Sequence, residues 1–335
     1  MSERVAVIGA GNWGTALANL LAKKGHDVVI WSFEPDVSHA INSVHQNPRY
    51  LRGVVLHERL SATGDLAAAV DGADWLVSVS PSQHVRRVLS EAAPSMKRDS
   101  IIVSASKGIE ISTLESLDKV LSEVTPVHVA PPAFLSGPSF ALEVAREMPT
   151  AVTVASRDES SAGRAQQLFQ APYFRVYTSS DVVGVELGGA LKNVIAVAAG
   201  MVSGLGLGHN TLAALITRGL AEIARLGVAL GASPLTFMGL AGMGDLILTC
   251  TGDLSRNRSV GVELGKGRKL SDILAGMDMV AEGVSTARAA HALALKHGIE
   301  MPIVAQVHSV LFEDVPASEA VEILMLREPK PEQWR

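Results

Sequence analysis

The segment Gly9-Ala10-Gly11-Asn12-Trp13-Gly14, a G-x-G-x-x-G pattern, limits the possible folds more than any other feature of the chain. A short apolar run, Val5 to Ile8, precedes it, and an amphipathic stretch follows from about Asn12 to Lys24, which Gly25 can terminate as a C-cap. A second apolar run, Val28 to Trp31, comes next. In such a strand–turn–helix–strand unit each glycine has its own task. Gly9 permits the tight turn, Gly11 lets the backbone approach a pyrophosphate, and Gly14 lets the helix lie close on the strand. Free amides at the helix start then bind the phosphates. The context predicts a dinucleotide site at Gly9, Gly11 and Gly14.

Further apolar runs span Trp75 to Val79, Ile101 to Ala105, Val127 to Leu135 and Ala151 to Ala155, mostly without polar interruption. Continuous hydrophobicity is the mark of parallel strands buried on both faces, so an α/β, Rossmann-type doubly wound sheet is expected. After about Asp181 the texture changes to Ala, Leu, Gly and Met. The runs Thr211 to Leu230, Ser285 to Lys296 and Ile303 to Phe312 carry a helical period, punctuated by Gly231, Gly298, Pro234, Pro302 and Pro316. With 335 residues and about 150 per domain, two domains are expected: residues 1–180 as the dinucleotide-binding domain and 181–335 as an all-α substrate-binding and catalytic domain.

A balance of 29 Lys+Arg against 34 Asp+Glu, net charge -5, argues against a dedicated nucleic-acid binder. The single cysteine, Cys250, excludes an intramolecular disulfide or thiolate cluster, and the N-terminus lacks the pattern of a secretory signal; a reducing, cytoplasmic setting is expected. The uncharged stretch between Lys192 and Arg218 is broken by glycines 200, 204, 206 and 208 and by His209. It therefore reads as two core helices rather than a membrane span of about 20 apolar residues.

Five places carry chemistry. At Trp31-Ser32-Phe33-Glu34, Glu34 lies at about the offset where an NAD site places its ribose-binding acid; it is either that acid or a solvated loop charge, and Ser32 leaves room for a 2′-phosphate. In Ser104-Ala105-Ser106-Lys107-Gly108, a loop at a strand's carboxyl end, Lys107 suits an anionic substrate. In Leu135-Ser136-Gly137-Pro138-Ser139-Phe140-Ala141, the amides of Gly137, Ser139 and Ala141 either receive ligand oxygens or cap the next helix. Lys192 sits in an apolar helical stretch, Gly184 to Ile195, with Gly188 and Gly189 one turn before it, so that a chain segment or a ligand can approach. Desolvation and a second cation such as Lys107 would depress its pKa, as a general base requires; otherwise it snorkels from a core helix. Finally, Gly242-Met243-Gly244-Asp245 and Ser255-Arg256-Asn257-Arg258 combine a carboxylate with hydroxyl, guanidinium and amide donors. They suit a small molecule bearing hydroxyls and a phosphate, or else the second cluster simply starts a helix.

Taken together, GAGNWGTALA, SASKG, LSGPSFALEVA, GVELGGALKNVIAVAAGM, TRGLAEIARLG, GLAGMGDLILTCTGDLSRNRSVG and VAEGVSTA resemble the bacterial NAD(P)-dependent glycerol-3-phosphate dehydrogenases, almost end to end. The resemblance implies a Rossmann-type domain followed by a helical domain like that of 6-phosphogluconate dehydrogenase. It implies a cytoplasmic homodimer that reversibly transfers hydride between NAD(P)H and dihydroxyacetone phosphate, supplying sn-glycerol 3-phosphate for phospholipid synthesis without a metal. Lys192 would be the proton acceptor, with Lys107 beside the reacting carbon and the nicotinamide. Gly137 and Ser139 would contact the substrate, and Asp245, Ser255, Arg256 and Asn257 would hold the glycerol phosphate. Arg256, Ala141, Val280 and Glu282 would border the cofactor, and Asn12 and Trp13 would sit on the dinucleotide. Phe33 and Tyr50 also fall at cofactor positions, although the clear basic pair of an NADP site is missing there. Two other readings are a hydroxy-acid dehydrogenase of the same plan, which has little use for the Ser-Arg-Asn cluster, and a dinucleotide-sensing protein, which has no need of Lys107 and Lys192.

Overall fold

The computed structural model describes residues 2–277, 279–329 and 331–332; Met1, Asp278, Lys330 and 333–335, among them the outer ends of both expected domains, lie outside the described residues. Strand and helix alternate as far as Ser179. The order is β1 (Arg4–Ile8), α1 (Asn12–Lys23), β2 (Asp27–Trp31), α2 (Pro35–Val44), β3 (Leu60–Thr63), α3 (Leu66–Val70), β4 (Trp75–Ser78) and α4 (Val85–Ala92). Then come β5 (Ile101–Ser104), α5 (Leu117–Val124), β6 (Ala130–Ser136), α6 (Ala141–Ala145), β7 (Thr150–Ala155), α7 (Glu159–Phe169) and β8 (Phe174–Ser179). Beyond them the chain is helical: α8 (Val182–Gly204), α9 (His209–Ala229), α10 (Pro234–Phe237), α11 (Asp245–Thr251) and α12 (Arg256–Gly265). The last helices are α13 (Leu270–Ala275), α14 (Glu282–His297), α15 (Pro302–Phe312) and α16 (Ala317–Met325).

The strands form one eight-stranded sheet in the order β3-β2-β1-β4-β5-β6-β7-β8. Val5 and Val7 of β1 pack on one face and Ala6 and Ile8 on the other, each in its own core, as side chains alternating along a doubly covered strand must. This is the expected Rossmann-type sheet, with two differences. β7 runs antiparallel to β6, whereas the other pairs are parallel. In addition, β3 and β8 lie at the sheet's two edges, and no continuous apolar run announces them. Their residues alternate between buried and more exposed, because an edge strand offers part of one face to solvent. β6 begins at Ala130, not Val127, and its pairing with β5 shifts where Pro131 and Pro132 have no N–H to give.

The sheet grows in opposite directions from β1 and β4, which opens a crevice beyond their carboxyl ends. The glycine-rich turn lies there. Gly9 has φ +120° and donates its N–H to Trp31 O at 3.1 Å, while a β-carbon on Gly14 would stand 1.9 Å from the Gly9 carbonyl oxygen. α1 therefore starts hard against the end of β1.

The helical part is built around α8, which is buried over nearly its whole length. Its start is fixed by the Asp181 carboxylate, which accepts the Gly184 N–H at 2.9 Å, and it runs nine residues past the expected Ile195. α8 is long and apolar enough to cross a membrane by length and composition, yet 89% of its apolar window is buried inside the protein. α12 crosses α8 at backbone contact. A β-carbon on Gly200 would lie 2.0 Å from Arg258 O, and one on Gly261 would lie 2.0 Å from Val197 O. That glycine seam brings the start of α12 to the middle of α8, where Lys192 is.

Candidate active site

A cavity of about 550 Å³ occupies the crevice. At one end Gly9, Gly11, Asn12, Trp13 and Gly14 line it, with Phe33, Glu34 and Tyr50 at the β2 side. The residues fit a dinucleotide. Gly11 is the N-cap of α1 and brings no side chain to the helix's first amides; a β-carbon there would meet nothing within 4 Å. The Trp13 indole Nε1 is buried without a protein partner, a donor waiting for an acceptor. Phe33, 75% exposed, forms the outer rim. Ser32 does not leave the room expected of it: it is fully buried, and its hydroxyl donates to Glu34 O at 3.1 Å. The Tyr50 hydroxyl donates to Glu34 Oε1 at 2.6 Å; burial, then the bond to Glu34, pushes the phenol up to about 12.

At the other end the cavity reaches two lysines. Lys107, on the loop after β5, places Nζ 2.5 Å from Asp245 Oδ2 and 3.4 Å from Gly137 O. Lys192 Nζ donates to Thr249 Oγ1 at 2.7 Å and lies 3.0 Å from Asp245 Oδ1. Thr249 stands one helical turn beyond Asp245 and donates its own hydrogen to Asp245 O at 2.6 Å, which leaves a lone pair facing the lysine. Burial pushes the Lys192 ammonium down to about 8; Lys107 acts in the same direction and Asp245 against it. Burial raises the Asp245 carboxyl, but the two ammoniums outweigh it and hold the group below its usual value. Local packing explains the arrangement. Gly188 admits the Ala241 carbonyl, 2.5 Å from where a β-carbon would be, and Gly189 admits Ser136 in the same way. Chain segments, not a ligand, fill the space these glycines leave, and one of them, a π-helical turn at Leu240–Gly244, delivers Asp245.

The start of α12 forms the adjoining wall. Ser255 caps the helix, its Oγ accepting the Arg258 N–H at 3.2 Å. Arg256 donates to Val280 O at 2.8 Å, and burial lowers its pKa against the opposing effect of Glu282. Asn257 donates to Asn193 Oδ1 at 2.9 Å and accepts the Gly283 N–H at 2.8 Å. Glu282 joins the two halves of the chain: its carboxylate accepts Ser82 N at 3.2 Å and Ser82 Oγ at 2.7 Å, and burial raises it.

Of the residues expected from sequence, Lys107, Ser139, Ala141, Lys192, Ser255, Arg256, Asn257, Val280 and Glu282 line this cavity together with the dinucleotide-end residues named above. Gly137 and Asp245 stand behind the wall. The Gly137 carbonyl receives Lys107 and the Ser139 hydroxyl, and Asp245, 2% exposed, gives both oxygens to the lysines. Sequence reasoning missed Thr249 and Asn193. Thr249 was findable from its one-turn spacing to Asp245; Asn193 was a second polar residue in the apolar run.

A nucleotide crevice that ends on a buried lysine able to shed its proton near neutral pH defines a dinucleotide-dependent oxidoreductase of the two-domain kind. Its family follows from matches along the chain: the profile for the NAD-dependent glycerol-3-phosphate dehydrogenase N-terminus covers residues 4–162 and that for the C-terminus covers 181–322. The chain belongs to this NAD(P)-dependent family. It is 58% identical to the glycerol-3-phosphate dehydrogenase (NAD(P)+) of Geobacter sulfurreducens over 335 residues, 100% of both chains, and 56% identical to that of Myxococcus xanthus over 330 residues, 98% of each. The crystal structure of glycerol-3-phosphate dehydrogenase from Coxiella burnetii superposes with a TM-score of 0.93 at 40% identity, covering 97% of this chain and 99% of that one.

Proposed function

We propose that this chain catalyses reversible hydride transfer between NAD(P)H and dihydroxyacetone phosphate, giving sn-glycerol 3-phosphate, with Lys192 as proton acceptor and donor. The observation that carries the reading is a buried ammonium, lowered to about 8, at the end of the dinucleotide cavity. In the oxidation direction neutral Lys192 takes the proton of the secondary hydroxyl; in reduction its ammonium polarises the ketone oxygen and returns the proton. When bound, the nicotinamide supplies or receives the hydride.

The remaining roles follow from chemistry. Lys107 is a second cationic donor beside the reacting oxygen. Asp245 acts through the lysines, since it is buried behind the cavity wall with one oxygen on each of them. Arg256 and Asn257 supply donors for the phosphate, and Ser255 aims the first amides of α12 at it. Ser139 borders the substrate, and Gly137 acts from behind it through the carbonyl that receives Lys107 and Ser139. Gly9, Gly11, Asn12, Trp13, Gly14, Phe33, Tyr50, Ala141, Val280 and Glu282 hold the dinucleotide, with Lys107 and Arg256 adjoining it. Residues 1–180 form the dinucleotide half and 181–335 the substrate half. A cytoplasmic homodimer that feeds glycerophospholipid synthesis is the setting we assign, supported by family membership and by the single buried thiol of Cys250.

The test is oxidation of NADH and of NADPH by dihydroxyacetone phosphate, followed at the nicotinamide absorbance. Substrate-dependent oxidation is expected. Folded protein that binds the dinucleotide and oxidises neither cofactor would overturn the reading.

A further inference from the structure

Resting on the reading of the crevice as a dinucleotide site, we propose that Glu34, held in place by Tyr50, selects the cofactor and makes this enzyme prefer NADH to NADPH. β2 lies beside β1 in the sheet, so the residues just after it flank the glycine-rich turn; Gly9 itself bonds to Trp31 O. The adenosine ribose of a dinucleotide whose pyrophosphate sits on that turn extends toward this strand end. Glu34 lines the cavity there.

One hydroxyl fixes the carboxylate: Tyr50 holds Oε1 at 2.6 Å, while Ser32, whose hydrogen goes to Glu34 O, lies 3.4 Å from Oε2. The phenol keeps its proton at any working pH, so it remains a donor. Tyr50 is in turn tied to the cofactor turn. Its N–H donates to Asn47 Oδ1 at 3.1 Å, and the Asn47 amide, fully buried, donates to Ala10 O and Thr15 Oγ1, both at 2.9 Å. Ala10 is part of the glycine fingerprint. One side chain thus registers the phosphate turn and the acid against each other.

A carboxylate oxygen accepts more than one hydrogen bond, so Glu34 retains capacity for a ribose 2′-hydroxyl. A 2′-phosphate would bring a second anion against a carboxylate that Tyr50 holds in place. Ser32 offers no space, being buried. The guanidinium beside Tyr50, that of Arg49, lies 5.3 Å from the centre of its ring, with Nη1 3.8 Å from Asp36 Oδ2, so it already has an acidic neighbour.

The experiment is direct titration of NADH and NADPH into the full chain without substrate, by calorimetry or fluorescence, for the natural protein, Glu34→Gln and Tyr50→Phe. NADH is expected to bind about tenfold or more tightly than NADPH. Glu34→Gln should bring the ratio to within about threefold, mainly by strengthening NADPH, and Tyr50→Phe should give an intermediate ratio. A fold defect weakens both ligands together and leaves the ratio unmoved, so the ratio separates selection from damage. Equal affinities in the natural protein, or a ratio unchanged in Glu34→Gln, would overturn the proposal. Tighter NADPH binding that Arg49→Ala abolishes would overturn it in favour of Arg49. NADH selectivity without turnover of dihydroxyacetone phosphate would leave the selector standing and remove the substrate reading instead.

Discussion

Lys192 Nζ and Asp245 Oδ1 face each other at 3.0 Å between α8 and α11, yet the bridge is shared: the second oxygen of Asp245 belongs to Lys107 at 2.5 Å. Two ammoniums and one carboxylate leave the cluster with one net positive charge while Lys192 is protonated and none once it is neutral. That asymmetry favours a phosphorylated, oxygen-bearing substrate and also keeps the proton on Lys192 within reach of removal.

The pH profiles of the two directions should be mirror images. Lys192 falls from an ordinary lysine value to about 8, so its neutral form dominates above that and its ammonium below. The kcat/KM for glycerol phosphate oxidation is expected to rise through about pH 8 and then level off, while that for ketone reduction should fall over the same range. Steady-state rates in both directions across this range check it; a flat profile in both would remove Lys192 as the titrating base.

Replacing Lys192 by Ala should lower turnover by about 10²–10⁴-fold, the usual worth of a positioned proton-transfer group. Dinucleotide affinity should stay close to that of the natural protein, because the glycine turn is untouched. Titration with NADH beside a turnover assay tests this, and retained activity would point to another base.

Asp245→Asn removes the largest effect holding the Lys192 proton against burial and Lys107. The oxidation limb should move to lower pH, and the fold should lose on the order of 3 kcal/mol at neutral pH, the scale of breaking a buried pair. Raising the pH until Lys192 is neutral should restore part of that loss. Denaturant titration at two pH values reads it, and an unchanged rate profile would count against the electrostatic role.

Arg256→Ala should reduce kcat/KM by about 10- to 100-fold, consistent with one charge-assisted contact, and should affect kcat as well as KM. With dihydroxyacetone, which lacks the phosphate, the variant and the natural enzyme should converge. An unaltered kcat on the phosphorylated substrate would mean the guanidinium grips the ground state alone.

At the α8–α12 crossing, Gly261→Ala would set a methyl 2.0 Å from Val197 O. The helices must part, at a cost of about 1–3 kcal/mol, and Arg256 and Asn257 move away from Lys192 with them. Thermal unfolding should come at lower temperature and KM for the phosphorylated substrate should rise; an unmoved melting temperature would show that the seam yields freely.

What was legible in the sequence was local. The glycine fingerprint, the lysine in an apolar helix and the Ser-Arg-Asn cluster each announce themselves within one element, and the parallel core strands show as unbroken apolar runs. β3 and β8 were not legible because edge strands alternate, and the direction of β7 was not because the link through α6 suits either a crossover or a return. The pairs that tune the site are contacts between distant residues. Asn47 reaches Ala10 across 37 positions and Glu282 reaches Ser82 across 200, so only chain closure reveals them.

α8 has a consequence for the life of the chain before it is an enzyme. A helix apolar on nearly every side stays out of water only when α9, α11, α12 and α14 have docked around it. The glycine turn is assembled from β1, α1 and β2, with the Val79–Ser80 backbone after β4 against Gly9, all made earlier. Until those helices close, Lys192 lacks its carboxylate and the dinucleotide crevice lacks Arg256, Val280 and Glu282. The appearance of catalysis and the completion of the helical core become a single event.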